Sequence, residues 1–288
     1  MTDLAVVEVA QWQGSGSTTA RRLRRGAAEL AALISAGEHV RIDVSDEPGT
    51  AREGVAALDV LVRNLSAVRA AQTTMLGRTT VTVGGDCGVE LAPVEAALAR
   101  HGAGLAVVWF DAHGDLNTPA SSPSGAFHGM VLRTLLGEGP PALLPARALL
   151  PGQVVLAGVR ALDPGERDFV DGTAIAHVEV AQLADPSTLV DAVAATGAGA
   201  VYVHIDLDVL DPDVFASVGT KEPHGLTPDH LVAAVGALAD RFTVAGLGIT
   251  EYEPSRPGDQ DLLAGLVGAV VALVDRSRPA DGSVIHVA

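Results

Sequence analysis

The sequence predicts an α/β fold with three layers, α/β/α, around a central parallel sheet of about eight strands. Three observations carry this expectation. Short apolar, β-branched runs recur along the chain with helical patterns between them. The runs near residues 105, 154 and 200 are continuously apolar rather than alternating, as strands covered on both faces require. Three polar motifs follow directly on such runs, at the strand carboxyl ends where parallel sheets hold their ligands.

The strands are expected at Leu4–Val9, Val40–Val44, Thr79–Val83, Leu105–Phe110, Val154–Gly158, Ala176–Val180, Ala200–Ile205 and Thr243–Ile249. Helical spacing is expected over Ala20–Ala36, Gly54–Ala71, Val89–Arg100, Pro186–Ala195 and Thr227–Ala239. Thr227-Pro228-Asp229 is a start signal, with Thr as N-cap and Pro at the first helical position. Gly137 to Pro151 reads as a Gly/Pro/Ala-rich loop rather than a linker. With no linker and no internal repeat, residues 1–288 are expected to form a single domain.

Composition narrows the function. The chain is 48% hydrophobic, enough for a sizeable core. It has no run of 18 uninterrupted apolar residues, and its start, Met-Thr-Asp-Leu, lacks a basic region before an apolar one. No membrane association and no secretion are therefore expected. A single cysteine permits no internal disulfide and fits a cytoplasmic location. A formal charge of −16 argues against nucleic acid as a partner.

The motifs are Gly84-Gly85-Asp86-Cys87, Asp111-Ala112-His113-Gly114-Asp115 and Asp206-Leu207-Asp208-Val209-Leu210-Asp211. Carboxylates at the ends of buried strands are costly unless a cation compensates them. Six candidate ligands converge: Cys87, Asp111, His113, Asp115, Asp206 and Asp208. Oxygen and imidazole donors suit Mn²⁺ and its neighbours, and two-metal sites need bridging carboxylates. Asp111 and His113 share a face of an extended chain, as do Asp206 and Asp208; Asp211 is out of phase, and Asp211-Pro212 reads as a turn. The blander readings are N-caps and turn formers at 111–115, and an acidic calcium loop or solvated turn at 206–213.

In order and spacing these motifs, together with Gly246 to Glu251, closely resemble the ureohydrolases: arginase, agmatinase, formiminoglutamase and relatives. The resemblance spans roughly residues 80 to 275. It implies an arginase-like α/β/α domain, a binuclear manganese centre with two Mn²⁺ per subunit, and a homo-oligomer, trimeric or hexameric. By the same resemblance Asp111 and Asp206 would bridge the metals, His113 and Asp208 would complete one site, and Asp115 would belong to the other. The remaining protein ligand of that other site is usually a histidine, and this chain has Cys87 there. A thiolate is softer and favours Zn²⁺, Fe²⁺ or Co²⁺, whereas a neutral thiol hardly binds; Cys87 as a small buried apolar residue stays open.

The resemblance further implies that the two cations acidify a bridging water, which attacks the guanidinium carbon. His128 matches the family's proton-shuttling histidine, and Glu251 the carboxylate that pairs with the guanidinium. Asp115, His128 and Glu251 are thus the catalytic candidates. Read without their motifs, His128 is an ordinary helix-cap histidine and Glu251 a strand-end glutamate. His101, His204, His224 and His230 receive ordinary structural readings, although His224 lies in an expected active-site loop.

Within the family the chain looks most like arginase. Asn117-Thr118-Pro119, Ser124-Gly125 and His128-Gly129 follow the arginase loop without a gap, so Asn117 and Ser124 would bind an α-carboxylate. Asp163-Pro164-Gly165-Glu166 matches the segment whose Asp163 and Glu166 would recognise an α-amino group; its plain reading is a helix start. Thr220 matches the family's Gly-Thr, followed by Lys221-Glu222 in place of Pro-Val, and Ala126 stands where arginases carry an asparagine. The expected substrate is a small-molecule guanidino amino acid: arginine first, with Nω-hydroxyarginine or another guanidino or formimino compound as alternative, some with a single tightly bound metal. A non-enzymatic family member would be expected to lose the shuttle histidine or the bridging aspartates, which remain.

Overall fold

The computed structural model of the chain describes residues 4–35 and 37–277. Within them eight strands form one sheet: β1 (Leu4–Val9), β2 (Glu38–Arg41), β3 (Thr79–Gly84), β4 (Leu105–Phe110), β5 (Val154–Ala157), β6 (Ala176–Val178), β7 (Ala200–Asp206) and β8 (Thr243–Thr250). Their spatial order is β2-β1-β3-β8-β7-β4-β5-β6, and every neighbouring pair is parallel. The helices are α1 (Arg22–Leu33), α2 (Leu58–Thr74), α3 (Leu91–His101), α4 (Val131–Leu135), α5 (Pro164–Asp171), α6 (Pro186–Ala195), α7 (Pro228–Arg241) and α8 (Pro257–Arg276).

The sheet has a core on each face, which is why its central strands are continuously apolar. On one face Ala106, Val108 and Phe110 of β4 and Val203 and Ile205 of β7 pack with residues of α1, α6, α7 and α8. On the other, Val107 and Trp109 of β4 and Tyr202 of β7 pack with residues of α2, α3 and α4. This is the three-layer α/β/α architecture that the alternation of strands and helices predicts.

Where boundaries differ, local chemistry explains it. The second strand is Glu38–Arg41 rather than Val40–Val44, because it is an edge strand of mostly exposed polar residues paired only with β1. The strands expected to end at Gly158 and Val180 stop at Ala157 and Val178. The helix expected from Gly54 starts at Leu58, since Glu53, Gly54 and Ala57 all have positive φ. A 3₁₀ turn, Cys87–Glu90, precedes α3 where a helix from Val89 is expected. The expected end of the first helix, Ala36, lies outside the described residues. The 137–151 loop contains a 3₁₀ turn, Pro141–Leu143. Thr227 caps α7 as anticipated, accepting from the His230 N–H at 3.2 Å.

Helix α8 has no counterpart among the expected helices, although Leu263, Leu266, Val267, Val270, Val271 and Val274 follow helical spacing and are buried. By length and composition α8 alone among the described helices could cross a membrane. Those six residues belong to the sheet's core, as in a core helix of a globular protein.

Four adjacent strands, β3, β8, β7 and β4, end side by side, and each runs into one of the polar motifs. Gly85 joins them: its N–H donates to the Val9 carbonyl at 2.9 Å and its carbonyl accepts from Glu251 N at 2.8 Å. A Cβ at Gly85 would overlap the backbone of Gln11. Gly85→Ala is therefore expected to destabilise the chain by about 3 kcal/mol, the upper end of overpacking costs, because its neighbour is rigid backbone. Urea unfolding measures this, and a loss under about 1 kcal/mol would show that the strand ends can part.

Candidate metal centre

The polar motifs meet at these strand ends, and Cys87, Asp111, Asp115, Asp206 and Asp208 are all buried there. The turns that follow the strands orient them. Asp206 caps the 3₁₀ turn Leu207–Val209, accepting from the Asp208 N–H at 2.7 Å. Asp208 accepts from the Ala112 N–H at 3.0 Å, tying the β7 motif to the β4 motif. Asp111 is held by the His113 N–H at 2.6 Å and by the Trp109 indole N–H at 3.1 Å. Asp206 and Asp208 do not share an extended face, because the chain turns between them.

Among the described residues the donors fall into three overlapping groups, one of them Cys87, Asp206 and Glu251. Asp111, His113 and Asp208 gather around His113 Nδ1, which lies 3.4 Å from Asp111 Oδ1 and 3.0 Å from Asp208 Oδ2. Deeper, donor atoms of Cys87, Asp111, Asp115 and His204 all lie within 4.8 Å of one another. Asp206 is adjacent, with Oδ2 3.2 Å from Cys87 Sγ. The residues present fit cations: the donor set is carboxylate-rich, and Asp115 Oδ2 is buried with no hydrogen-bond partner.

Electrostatics point the same way. Burial, and then the Asp111 charge, push the Asp115 carboxyl well above the usual range. Burial, and then Asp208 and Asp111, do the same to Asp206. Burial and Asp208 raise Asp111. Burial and the carboxylates of Asp206 and Asp115 push the Cys87 thiol far up. At His113 burial opposes the charge, but Asp208 and Asp111 outweigh it and keep the imidazole protonated well above its ordinary value. The reciprocal pairing lowers Asp208 against its burial. Buried like charges of this density call for a compensating cation.

Two residues in the left-handed backbone region stand at this centre, Asp115 (φ 52°) and Glu251 (φ 62°). Asp tolerates that region; a glutamate rarely visits it, and such strain concentrates at functional sites. Glu251 Oε1 accepts from Cys87 N–H at 3.2 Å and meets His128 Nδ1 at 3.2 Å. The Gly16 N–H donates to His128 Nε2 at 3.2 Å, so the neutral ring carries its proton on Nδ1, facing Glu251. Burial opposes charging His128, but Glu251 raises it overall.

Above the acids lies a cavity of about 130 Å³ lined by His113, Asp115, His128, Asp206, Asp208 and Glu251 at its base, with Asn117, Ser124, Asp163, Glu166 and Thr220 also on its walls. Cys87 and Asp111 lie outside this lining. Asn117 Nδ2 donates to Asp163 Oδ2 at 2.8 Å. Glu166 is buried, its oxygens accepting from the backbone N–H groups of Leu116 and Asp163 at 2.8 and 2.9 Å. The segment 163–166 is thus also the start of α5, the plain reading of its sequence.

Several residues at the site escape the sequence reading. His204 belongs to the inner donor group, and the spacing that pairs Asp111 with His113 would also have paired it with Asp206. Glu90 reaches His204 Nδ1 at 3.4 Å from the turn after β3. Glu222 approaches His113 Nε2 at 3.9 Å, on a segment that Arg160 secures through the Glu222 and Pro223 carbonyls. Gly16 arrives from the loop after β1. The partners of Glu90, Glu222 and Gly16 have no local signal, because they are brought in by other segments of the fold.

Comparison with known proteins gives the family and the fold. Residues 12–272 match the arginase family. An arginase of Bacillus caldovelox is 35% identical over 214 residues, covering 68% of this chain and 71% of that protein. An arginase of Staphylococcus aureus is 34% identical over 185 residues, 60% of each chain, so the match spans about three fifths of that relative's length. The crystal structure of Entamoeba histolytica arginase in complex with L-ornithine superposes with a TM-score of 0.83 over 94% of this chain and 97% of that one, at 21% identity; that likeness is one of fold.

The carboxylates give a pH-dependent response to metal. Without a cation, Asp111, Asp115 and Asp206 hold protons to higher pH folded than unfolded. Metal-free stability then falls as pH rises above the ordinary carboxylate value of about 4. His113, held protonated by the fold, adds a slope of the same sign above its ordinary value of about 6.5. The gain in Tm on adding Mn²⁺ to chelator-treated protein should be larger at about pH 8 than at about pH 5. A gain independent of pH, by differential scanning fluorimetry, would contradict cation binding to these carboxylates.

Proposed function

This chain belongs to the arginase family, a hydrolase acting on linear amidines, and from that premise we propose that it cleaves the guanidino group of arginine or an arginine-like amino acid, releasing urea and an amine. One observation carries the reading. The cavity has a floor of acids and imidazoles and, on its walls, donors and acceptors suited to an amino acid's two charged groups. Agmatine lacks the carboxylate that Asn117 and Ser124 are suited to bind.

Asp111, Asp115, Asp206, Asp208 and His113 would hold two cations, Asp115 serving the inner one and His113 and Asp208 the outer one. When bound, the cations supply Lewis acidity and acidify a water near neutral pH. Glu251 accepts from the substrate guanidinium, and its buried carboxylate fixes which face of that planar group is presented to the metals. In its charged form, which Glu251 favours, His128 would deliver the Nδ1 proton that faces Glu251 to the departing amine and be left as the neutral imidazole. Asn117 Nδ2 and the Ser124 hydroxyl donate to the α-carboxylate, Asp163 and Glu166 accept from the α-ammonium, and Thr220 completes the wall. Asn117 already bonds Asp163, so one contact positions residues for both ends of the substrate.

Nω-hydroxyarginine and other guanidino or formimino compounds are the second reading; Ala126, whose methyl cannot donate to a carboxylate, favours among them those that lack that group. The protein is also proposed to be a cytoplasmic homo-oligomer, trimeric or hexameric, loaded with Mn²⁺ or a softer divalent ion.

Urea release from arginine and agmatine tests the substrate assignment. Two charge-assisted hydrogen bonds to the carboxylate correspond to a preference for arginine on the order of 10²–10⁴-fold in kcat/KM. Equal rates would remove the amino-acid assignment. Ala126→Asn should lower the KM for arginine about tenfold or more by adding a donor; an unchanged KM would place the carboxylate elsewhere. His128→Asn should lower kcat by about 10²–10⁴-fold while bound metal, measured by atomic emission, stays the same. A loss of metal in that variant would contradict a pure proton-transfer role.

A further inference from the structure

His204 stands two residues before Asp206 on β7, with its side chain on the same face of the sheet. It is fully buried among charged groups, a costly position for an imidazole unless both nitrogens are used. The ring stacks on Trp109 of the neighbouring strand, centroids 3.5 Å apart and planes at 19°, so its orientation is fixed. Nδ1 faces the buried Glu90 carboxylate at 3.4 Å. Glu90 lies over β8 at Gly248, where any Cβ would overlap it. A carboxylate behind one ring nitrogen is the arrangement that fixes the tautomer of a metal-binding histidine and leaves the other nitrogen's lone pair forward. That other nitrogen, Nε2, lies 3.7 Å from Cys87 Sγ.

The separation is informative. Two ligands of one tetrahedral ion, with metal–sulfur about 2.3 Å and metal–nitrogen about 2.0–2.1 Å, sit about 3.6 Å apart. Donor oxygens of Asp111 and Asp115 complete a group of four, all within 4.8 Å of one another. Asp115 Oδ2 is buried and has no partner. A stacked core histidine accepting from a thiol would satisfy the imidazole but leave that oxygen unexplained.

We propose that His204 Nε2 is a ligand of the inner cation, alongside Cys87 Sγ, Asp111 and Asp115, and that this mixed donor set makes the inner position select Zn²⁺ or Co²⁺ over Mn²⁺. The proposal rests on the two-cation reading above and specifies its inner half. On binding, the cation takes the place of the thiol proton, which leaves to solvent. The imidazole comes from β7 and the sulfur from the turn after β3, so the inner site is assembled across β8, which separates those strands. The outer group, Asp111, His113 and Asp208, keeps oxygen and imidazole donors only and accepts a harder ion.

The test uses the full chain, stripped with chelator and titrated with Co²⁺ alone. The wild type should bind two equivalents and develop a near-ultraviolet thiolate-to-cobalt band with tetrahedral visible absorption. Cys87→Ser should lose the near-ultraviolet band. His204→Gln should weaken the inner site by more than about 100-fold, leaving one tight equivalent, and Glu90→Gln should weaken it about 10–100-fold. Two tight equivalents with an unshifted spectrum in His204→Gln would overturn the proposal, as would two equivalents in the wild type without the thiolate band. No cobalt bound to the wild type would overturn the two-cation reading as well. His113→Gln separates the two claims: loss of one equivalent with the thiolate band kept supports both, whereas loss of the band assigns the sulfur to the outer ion. Zinc X-ray absorption of the wild type needs no variant; one sulfur and two imidazoles over two zinc ions is expected, and a single imidazole would exclude His204.

Discussion

Repulsion among buried carboxylates is the constraint on which the rest of this molecule depends. Asp111, Asp115, Asp206, Asp208 and Glu251 are all nearly inaccessible to water at the ends of β4, β7 and β8. Two unit charges 4 Å apart interact by about 4 kcal/mol even at an effective dielectric constant of 20. Protein partners offset only part of this: His113 compensates Asp208, and backbone N–H groups serve Asp111, Asp206 and Asp208. The remainder falls to protons or to cations. The cluster of donors is built to take a cation in place of protons, and the metal chemistry of the family follows from the same charge that threatens its stability.

The architecture serves this one requirement. A parallel sheet places its strand carboxyl ends together, and the insertion of β8 between β3 and β7 brings four motif-bearing strands side by side. Gly85 lets the chain pass against Gln11, and Gly248 makes room for the Glu90 carboxylate. The strained backbones of Asp115 and Glu251 turn their side chains toward the centre rather than along their chains. The core on each face pins the strands, so these short turns have a rigid base.

Much of this was legible in the sequence. Continuous apolar runs such as Leu105–Phe110 announce a doubly covered strand, and Asp-x-His-x-Asp directly after one announces a ligand cluster. What escaped has a common cause. Strand order is a long-range property, so nothing local revealed that His204 would face Cys87 across β8, or that Gly16 would cap His128. The edge strand β2 was expected two residues late because its exposed residues carry little apolar signal, and at 163–166 the start of α5 was legible but not its extent. Helix α8 is different: its spacing was readable, but its glycines at 258, 265 and 268 dilute the pattern.

The most direct measurement is anomalous diffraction from crystals of the full chain grown with Co²⁺. The account predicts two peaks at the carboxyl end of the sheet, among Asp111, Asp115, Asp206 and Asp208, with the inner one in bonding contact with His204 Nε2 and Cys87 Sγ. An absence of peaks there, with the carboxylates protonated or bound to ordered water instead, would contradict the claim that metal neutralises this centre.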